Sequence, residues 1–280
     1  MQEIAAFRTQ VLAYYKKHGR HALPWRATAD PYAIAVSEIM LQQTQAPRVT
    51  DKYQAFLRRF PTVQSLAKAP LSAVLALWSG LGYNRRAKFL KEMAQAVVVH
   101  HKGSFPRTAA ELEALPGIGP YTARAICAFA YNQPVVFIET NIRTVFIHHF
   151  FADAAESAVI SDVELLPIIS SALDRRNPRR WYAALMDYGS FLKQQGNRSH
   201  RRSKHYVRQS SFAGSARQLR GAIVRALLAG PKTAASLANA VAAAVPKREV
   251  SAAAVHAAAD TLLREGLIEK RGRNFALANQ

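Results

Sequence analysis

The chain has 280 residues, half of them hydrophobic, which excludes an intrinsically disordered protein and leaves room for one to three domains with a sizeable core. Its 38 Lys and Arg stand against 18 Asp and Glu, a formal net charge of +20 that points to a polyanionic partner, either nucleic acid or an acidic membrane surface. The single cysteine, Cys127, excludes an intrachain disulfide and any all-cysteine metal or iron-sulfur site, and no apolar run approaches the roughly 20 residues of a membrane span.

Residues 3–18 place apolar side chains at helical spacing and end near Gly19, which predicts a first helix without a signal-peptide core and hence a cytoplasmic protein. Residues 21–26 follow as an extended segment containing Trp25 and Arg26, because a residue before proline is biased away from the helical region. Asp30-Pro31 then opens a helix over 33–43, and Pro or Gly punctuation separates further helices at 47–60, 63–68, 71–79, 85–101 and 108–114.

Leu115-Pro116-Gly117-Ile118-Gly119-Pro120 interrupts this pattern with a turn built mostly from Gly and Pro. Thr108 with Glu111 has the spacing of a capping box, and Pro120 sets φ for a second helix over 121–131. The stretch reads as a helix-hairpin-helix whose Gly117 and Gly119 allow close backbone approach and whose second helix offers its N-terminus to a DNA phosphate. An ordinary packing corner is the alternative.

Residues 135–138, three of them β-branched, have strand propensity but are only four, and read as a buried connector delivering Glu139, Thr140 and Asn141 to a cleft. Helices follow at 142–151, 162–173 and 179–192, then a basic, Ser-rich linker over 196–213. Between Asp187 and Glu249 there is no acidic residue, so this basic stretch, including Arg198, Arg201 and Arg202, is a candidate phosphate-binding surface; a solvated surface that only maintains solubility is the alternative. From about 214 the composition turns alanine-rich, with helices at 218–228, 233–241 and 251–264 and two short alternating runs around Gly272-Arg273-Asn274. Three helices and a hairpin predict a winged helix, a fold that binds DNA or protein.

Two acidic residues are candidates for chemistry. Glu38 sits in an otherwise apolar helix near Trp25, where desolvation would raise its pKa toward that of a general acid; a surface glutamate is the alternative. Glu139 follows an apolar run and has Arg143 one helical turn on, a cation expected to keep it ionised, or simply to form a structural salt bridge with it. Two carboxyl groups with separated pKa values suit N-glycosidic cleavage, one protonating the leaving base and the other stabilising a cationic sugar. Gln42 and Gln43 can hydrogen-bond base edges, and Gly80, Gly82, Tyr83, Arg85 and Arg86 form a glycine loop with an aromatic wedge and two cations.

In order and spacing, Glu38-Ile39-Met40-Leu41-Gln42-Gln43-Thr44-Gln45, Leu77-Trp78-Ser79-Gly80-Leu81-Gly82-Tyr83 and Leu115-Pro116-Gly117-Ile118-Gly119 resemble the MutY-type adenine DNA glycosylases of the helix-hairpin-helix superfamily, over about residues 1–192. The resemblance implies a mainly α, two-lobed glycosylase fold, with a lobe from 1–29 and 136–195 and a helical bundle over 30–135, beyond which the chain's own pattern places the basic linker and the winged helix at 214–280. It implies a monomer acting on double-stranded DNA with a mismatched or damaged base, associated with the nucleoid, that flips adenine out opposite guanine or its oxidised form. By that match Glu38 is the general acid, Gln43 and Tyr83 wedge into the stack, and Tyr121 and Asn141 support the site. Tyr121 also occupies the position of the Schiff-base lysine of relatives such as endonuclease III, so no lyase step is expected.

Three departures qualify the match. The family has aspartate where this chain has Glu139, a change of one methylene, and a displacement of about an ångström can cost ~100-fold in rate. Either the pocket is rebuilt, the substrate differs or activity is weak. The cluster cysteines are replaced near Lys193, His200, Ser203 and Gln209, so the iron-sulfur cluster is expected to be absent and no cofactor is expected. A Nudix-like C-terminal domain is not expected, the winged helix being read in its place, so the sequence does not support specificity for oxidised guanine. Removal of thymine or uracil opposite guanine, or DNA binding without catalysis, are the competing readings.

Overall fold

The computed structural model describes residues 2–155, 157–208, 212, 214–245 and 251–278. The linker positions 209–211 and 213, with Gln209 among them, and winged-helix residues 246–250, 279 and 280 lie outside that set. The helices are α1 (Gln2–His18), α2 (Pro31–Leu41), α3 (Ala46–Arg59), α4 (Val63–Lys68), α5 (Leu71–Trp78), α6 (Arg85–His100), α7 (Ala109–Glu113), α8 (Pro120–Tyr131), α9 (Thr140–Phe150), α10 (Asp162–Ala172), α11 (Pro178–Gln194), α12 (Ala216–Leu228), α13 (Ala234–Ala244) and α14 (Ala252–Arg264). The strands are β1 (Lys232–Thr233), β2 (Ile268–Arg271) and β3 (Asn274–Leu277). The mainly helical fold is therefore as the sequence pattern indicates, and no helix among the described residues is long and apolar enough to cross a membrane.

The chain forms two compact units, one from 1–38, 106–114 and 118–208, the other from 39–105, 115–117 and 209–280. In the first, α11 packs along α9 and α1, with Phe7 edge-on to Phe146 and Trp181 at 5.2 and 5.9 Å between ring centroids. Residues 135–138 carry no strand pairing. Their backbone is held instead by Tyr182, whose hydroxyl donates to the Val135 carbonyl (2.7 Å) and accepts from Phe137 N–H (3.4 Å). Phe137 stacks on the same tyrosine at 3.8 Å. The connector is thus fixed by a side chain 45 residues away in sequence, which no local pattern reveals.

Two local expectations change. Pro24–Arg26 forms a 3-10 turn and not a continuous extended run: Leu23 before the proline is extended (ψ 126°), but Pro24 itself starts a helical turn, as its fixed φ favours. Within the basic linker, Ser199–Arg202 is a second 3-10 turn, and Ser203 pairs in parallel with Ile160.

In the second unit, Phe56, Phe60, Leu66, Leu75 and Trp78 are fully buried, and α4 and α5 pack on α6. The winged helix of α12–α14 carries a three-stranded antiparallel sheet in the order β1-β3-β2, one short strand more than the hairpin read from the sequence. Its first helix contacts α5 of the same unit.

Tyr182→Phe removes the donor that satisfies the Val135 carbonyl in a buried setting, so the variant is expected to lose about 1–2 kcal/mol. Urea unfolding with an unchanged m value measures it, and equal stability of the two proteins would show that the connector does not depend on that hydroxyl.

Candidate active site

Glu38 lies one helical turn before the end of α2, in a run of Tyr32, Ala33, Ile34, Ala35, Val36, Ile39 and Met40 that is buried throughout. Asp30 opens this helix, accepting from Tyr32 N–H (3.1 Å) and Ala33 N–H (3.3 Å) through its two carboxylate oxygens. Glu38 is only 6% exposed and accepts a hydrogen bond from the Tyr121 hydroxyl at 3.0 Å. Burial disfavours its ionised form and raises its pKa to about 7, against the opposing pull of the Tyr121 bond and the Arg26 charge; Glu139 adds to the rise.

Tyr121 projects from the first turn of α8, directly after Gly119, the N-cap residue, and Pro120. Its hydroxyl is held neutral by burial and by the charges of both Glu38 and Glu139, so it acts as a hydrogen-bond donor. Both carboxyl groups act electrostatically on this one phenol and Glu139 acts on Glu38.

Glu139 is the N-cap of α9: its Oε1 accepts from Ile142 N–H (2.8 Å) and its Oε2 from the Asn141 amide (3.1 Å). The salt bridge to Arg143 is not formed. Arg143 instead makes a two-pronged contact with Asp162 at 2.8 and 2.6 Å. Nor does a nearby cation hold Glu139 at the ordinary carboxylate value: burial raises its pKa, countered by the backbone N–H groups of Asn141 and Ile142 and more weakly by Lys193 and Arg143. Asn141 Oδ1 is buried and has no partner among the described residues, leaving an acceptor available in the site.

Two contributors escaped the sequence reading. Lys193 near the end of α11 is a cation acting on Glu139, ahead of Arg143, and its own pKa is lowered by burial. Gly189, in the middle of α11, lets α9 come close, for a Cβ there would collide with the Asn141 backbone carbonyl. The only signal for it was an isolated glycine inside a helical pattern, which commonly has a packing reason.

Trp25 is buried, and Arg26 reaches Asp187 (3.2 Å), a carboxylate that also holds Arg20 at 2.6 Å. Arg198 and Arg201 are exposed. Arg202 is half-buried and donates to the carbonyls of Phe151 (2.9 Å) and Ala154 (3.2 Å), tying its segment to the end of α9.

The remaining predicted residues lie in the second unit. Gln42 and exposed Gln43 follow α2, and Gln43 has φ of 55°. Gly80, Gly82 and Tyr83 have φ of 93°, 75° and 49°, a run of left-handed backbone that the two glycines make accessible. Gly117 (φ 75°) abuts Phe89, beneath exposed Arg85. Arg86 is buried and braces the loop from within, its Nη1 donating to the carbonyls of Ile39 (2.6 Å), Met40 (3.1 Å) and Gln42 (2.7 Å) and its Nη2 to that of Gly82 (3.2 Å). No three His, Cys, Asp or Glu side chains converge as metal ligands would, among the described residues.

Residues 36–167 match the family model of HhH-GPD superfamily base excision DNA repair proteins. Over 303 aligned residues, 97% of this chain and 96% of the other, the protein is 34% identical to the adenine DNA glycosylase of Mycolicibacterium smegmatis. The chain belongs to the adenine DNA glycosylase family. The adenine DNA glycosylase of Buchnera aphidicola is 36% identical over 186 residues; the match takes 66% of this chain but spans only about half, 52%, of that relative. Among solved structures, a thermostable thymine-DNA glycosylase superposes with a TM-score of 0.60 at 25% identity, covering 68% of this chain and 87% of that one. The family match and the fold thus agree with the resemblance carried by the sequence motifs.

The buried Glu38 carboxyl makes stability depend on pH. Its folded pKa of about 7 exceeds the unfolded value of 4.5, so the proton bound on folding favours the folded state below pH 4.5 and that contribution is lost as pH rises through about 7. Glu38→Gln, neutral throughout, is expected to gain stability relative to the parent by up to about 3 kcal/mol between pH 4.5 and pH 8. Urea unfolding at the two ends of that range measures it; pH-stability curves that run parallel would show Glu38 to be solvated.

Proposed function

We propose that the protein is a monofunctional DNA glycosylase of base excision repair, which turns adenine mispaired with guanine or 8-oxoguanine out of the duplex and hydrolyses its N-glycosidic bond. The observation that carries this reading is a carboxyl group, Glu38, buried beside Tyr121 with a pKa near neutrality, in one site with a second carboxyl group, Glu139.

In this reading Glu38 gives its proton to a ring nitrogen of the everted base as the bond from C1′ to the base breaks, and the bonding pair leaves with the base. Positive charge then develops on the sugar. Glu139 answers it as a carboxylate, a state favoured by its bonds from Ile142 N–H and the Asn141 amide and by the Lys193 charge. Water adds to C1′ and its proton restores the acid form of Glu38. Tyr121 is a positioning partner that holds Glu38 while offering no amine for a Schiff base.

The substrate is double-stranded DNA, and the protein works as a monomer. Gly119 at the N-terminus of α8 and the exposed Arg198 and Arg201 offer a phosphate surface in the first unit. In the second unit Gln42, Gln43, Gly80, Gly82, Tyr83, Arg85 and Gly117 serve the same duplex, and buried Arg86 supports them. We further propose that no iron-sulfur cluster takes part. The lone cysteine is buried in α8, and the donors near 193, 200 and 203 are an ammonium, an imidazole and a hydroxyl, a poor set for iron-sulfur ligation. The Ile160–Ser203 pairing and the Arg202 contacts give that segment another source of rigidity.

Duplexes each carrying one mismatch or lesion, treated with protein and then alkali, test the reading. Breakage is expected in the adenine strand opposite guanine or 8-oxoguanine, with single-turnover rates falling as pH rises through about 7. Glu38→Gln is expected to cut at least ~100-fold slower with nearly unchanged duplex affinity; an unchanged rate would remove the acid role. Breakage only of thymine or uracil strands would reassign the substrate, and tight binding without breakage of any duplex would leave a DNA-binding protein. Glu139→Asp is expected to be slower than the parent, since the shorter arm withdraws from Asn141; a faster enzyme would show that the site is not fitted to glutamate.

A further inference from the structure

Tyr83 sits on backbone that resists it. A tyrosine in the left-handed region costs roughly 1 kcal/mol, and Tyr83 follows Gly82, also left-handed. Such a conformation persists where surrounding contacts over-determine it, and two arginines supply those contacts. The Arg86 guanidinium lies 5.5 Å from the ring centre and is tied to backbone carbonyls, so it is a fixed brace. The second is Arg217, in the first turn of α12 and thus part of the winged helix. Its Nη1 donates to the Tyr83 hydroxyl at 2.6 Å, and its guanidinium lies 5.4 Å from the same ring centre.

The ring also lines open space. It borders a cavity of about 370 Å³ whose walls include Gln43, Arg85, Phe89 and Arg220. The bond from Arg217 holds the hydroxyl end of the ring at the edge of that cavity. Arg217 is itself well placed to do so, because a contact independent of Tyr83 joins the winged helix to α6. Lys88 Nζ donates to the Glu265 carbonyl at 3.0 Å, while the Glu265 carboxylate pairs with Arg220 at 3.6 Å.

We propose that Arg217 is a positioning residue for base eversion: through it the winged helix presents Tyr83 to the duplex in one orientation. The inference rests on the glycosylase reading above and adds a task for the C-terminal domain. Three roles for this arginine predict different behaviour. A phosphate contact would strengthen binding to every duplex and contribute about one unit to the salt dependence of affinity. A blocking clasp would slow the reaction. A positioning contact acts through Tyr83, chiefly by the bond to its hydroxyl.

The test uses the full chain as Arg217→Ala, Arg217→Lys, Tyr83→Phe and the double variant. Single-turnover excision, affinity for matched and mismatched duplexes at several salt concentrations, and the fluorescence of 2-aminopurine at the target base step are measured. Arg217→Ala is expected to slow excision about tenfold and to diminish the 2-aminopurine brightening that reports unstacking, with matched-duplex affinity and salt slope unchanged. Tyr83→Phe is expected to match it, the double variant to be no worse than either, and Arg217→Lys to recover part of the loss. Uniformly weaker binding with a shallower salt slope, additive losses in the double variant, or faster excision by Arg217→Ala would each overturn the proposal. If the parent excises no base yet brightens 2-aminopurine, and Arg217→Ala abolishes that brightening, the glycosylase reading fails while the positioning role stands.

Discussion

The site depends on taking one carboxyl group out of water. Glu38 occupies the only acidic position of α2, and apart from Ser37 the residues beside it in that helix are apolar and buried. An isolated carboxylate is costly in such surroundings, so the group keeps its proton to about neutral pH. The Tyr121 hydroxyl pulls the other way by donating to the carboxylate, and burial is the larger effect. A group balanced in this manner can give up a proton at the pH where a repair enzyme works, which an exposed glutamate cannot do at useful concentration.

The second carboxyl group is built by different means. Glu139 is an N-cap, so the end of α9 supplies both its location and two N–H donors that favour its ionised form. Its placement also depends on elements distant in sequence. Tyr182 pins the connector that leads to it, and the missing side chain of Gly189 admits the backbone of Asn141 against α11. The longer arm of glutamate, unusual beside the aspartate the family motif implies, has both oxygens engaged by this arrangement.

The basic character of the chain divides into two uses that composition cannot separate. Arg198, Arg201 and Arg85 are exposed, whereas Arg86 and Arg202 satisfy backbone carbonyls. Arg86 closes the turn after α2 against the glycine loop, and Arg202 fastens the segment after α11 to the end of α9. A guanidinium with five donors can hold several carbonyls at once, a capacity that suits arginine to bracing irregular backbone.

Much of this architecture was legible in the residues themselves. Proline and glycine punctuation set most helix ends to within a residue or two, with α13 running three residues past its expected end, since each breaks the hydrogen-bond ladder locally, and the glycine loop and hairpin declared themselves by backbone freedom that other residues lack. The desolvation of Glu38 was also readable, because an acid inside an apolar helical run has few ways to reach water. Only the tertiary structure decided the partners. Arg143 turned to Asp162 and left Glu139 to cap α9, Lys193 came to act on that carboxyl group from another helix, and Arg217 reached Tyr83 across 134 residues of sequence. Local sequence sets backbone preference and burial, whereas an ion pair or a long-range hydrogen bond is chosen among several competent partners by which of them packing brings within about 3 Å.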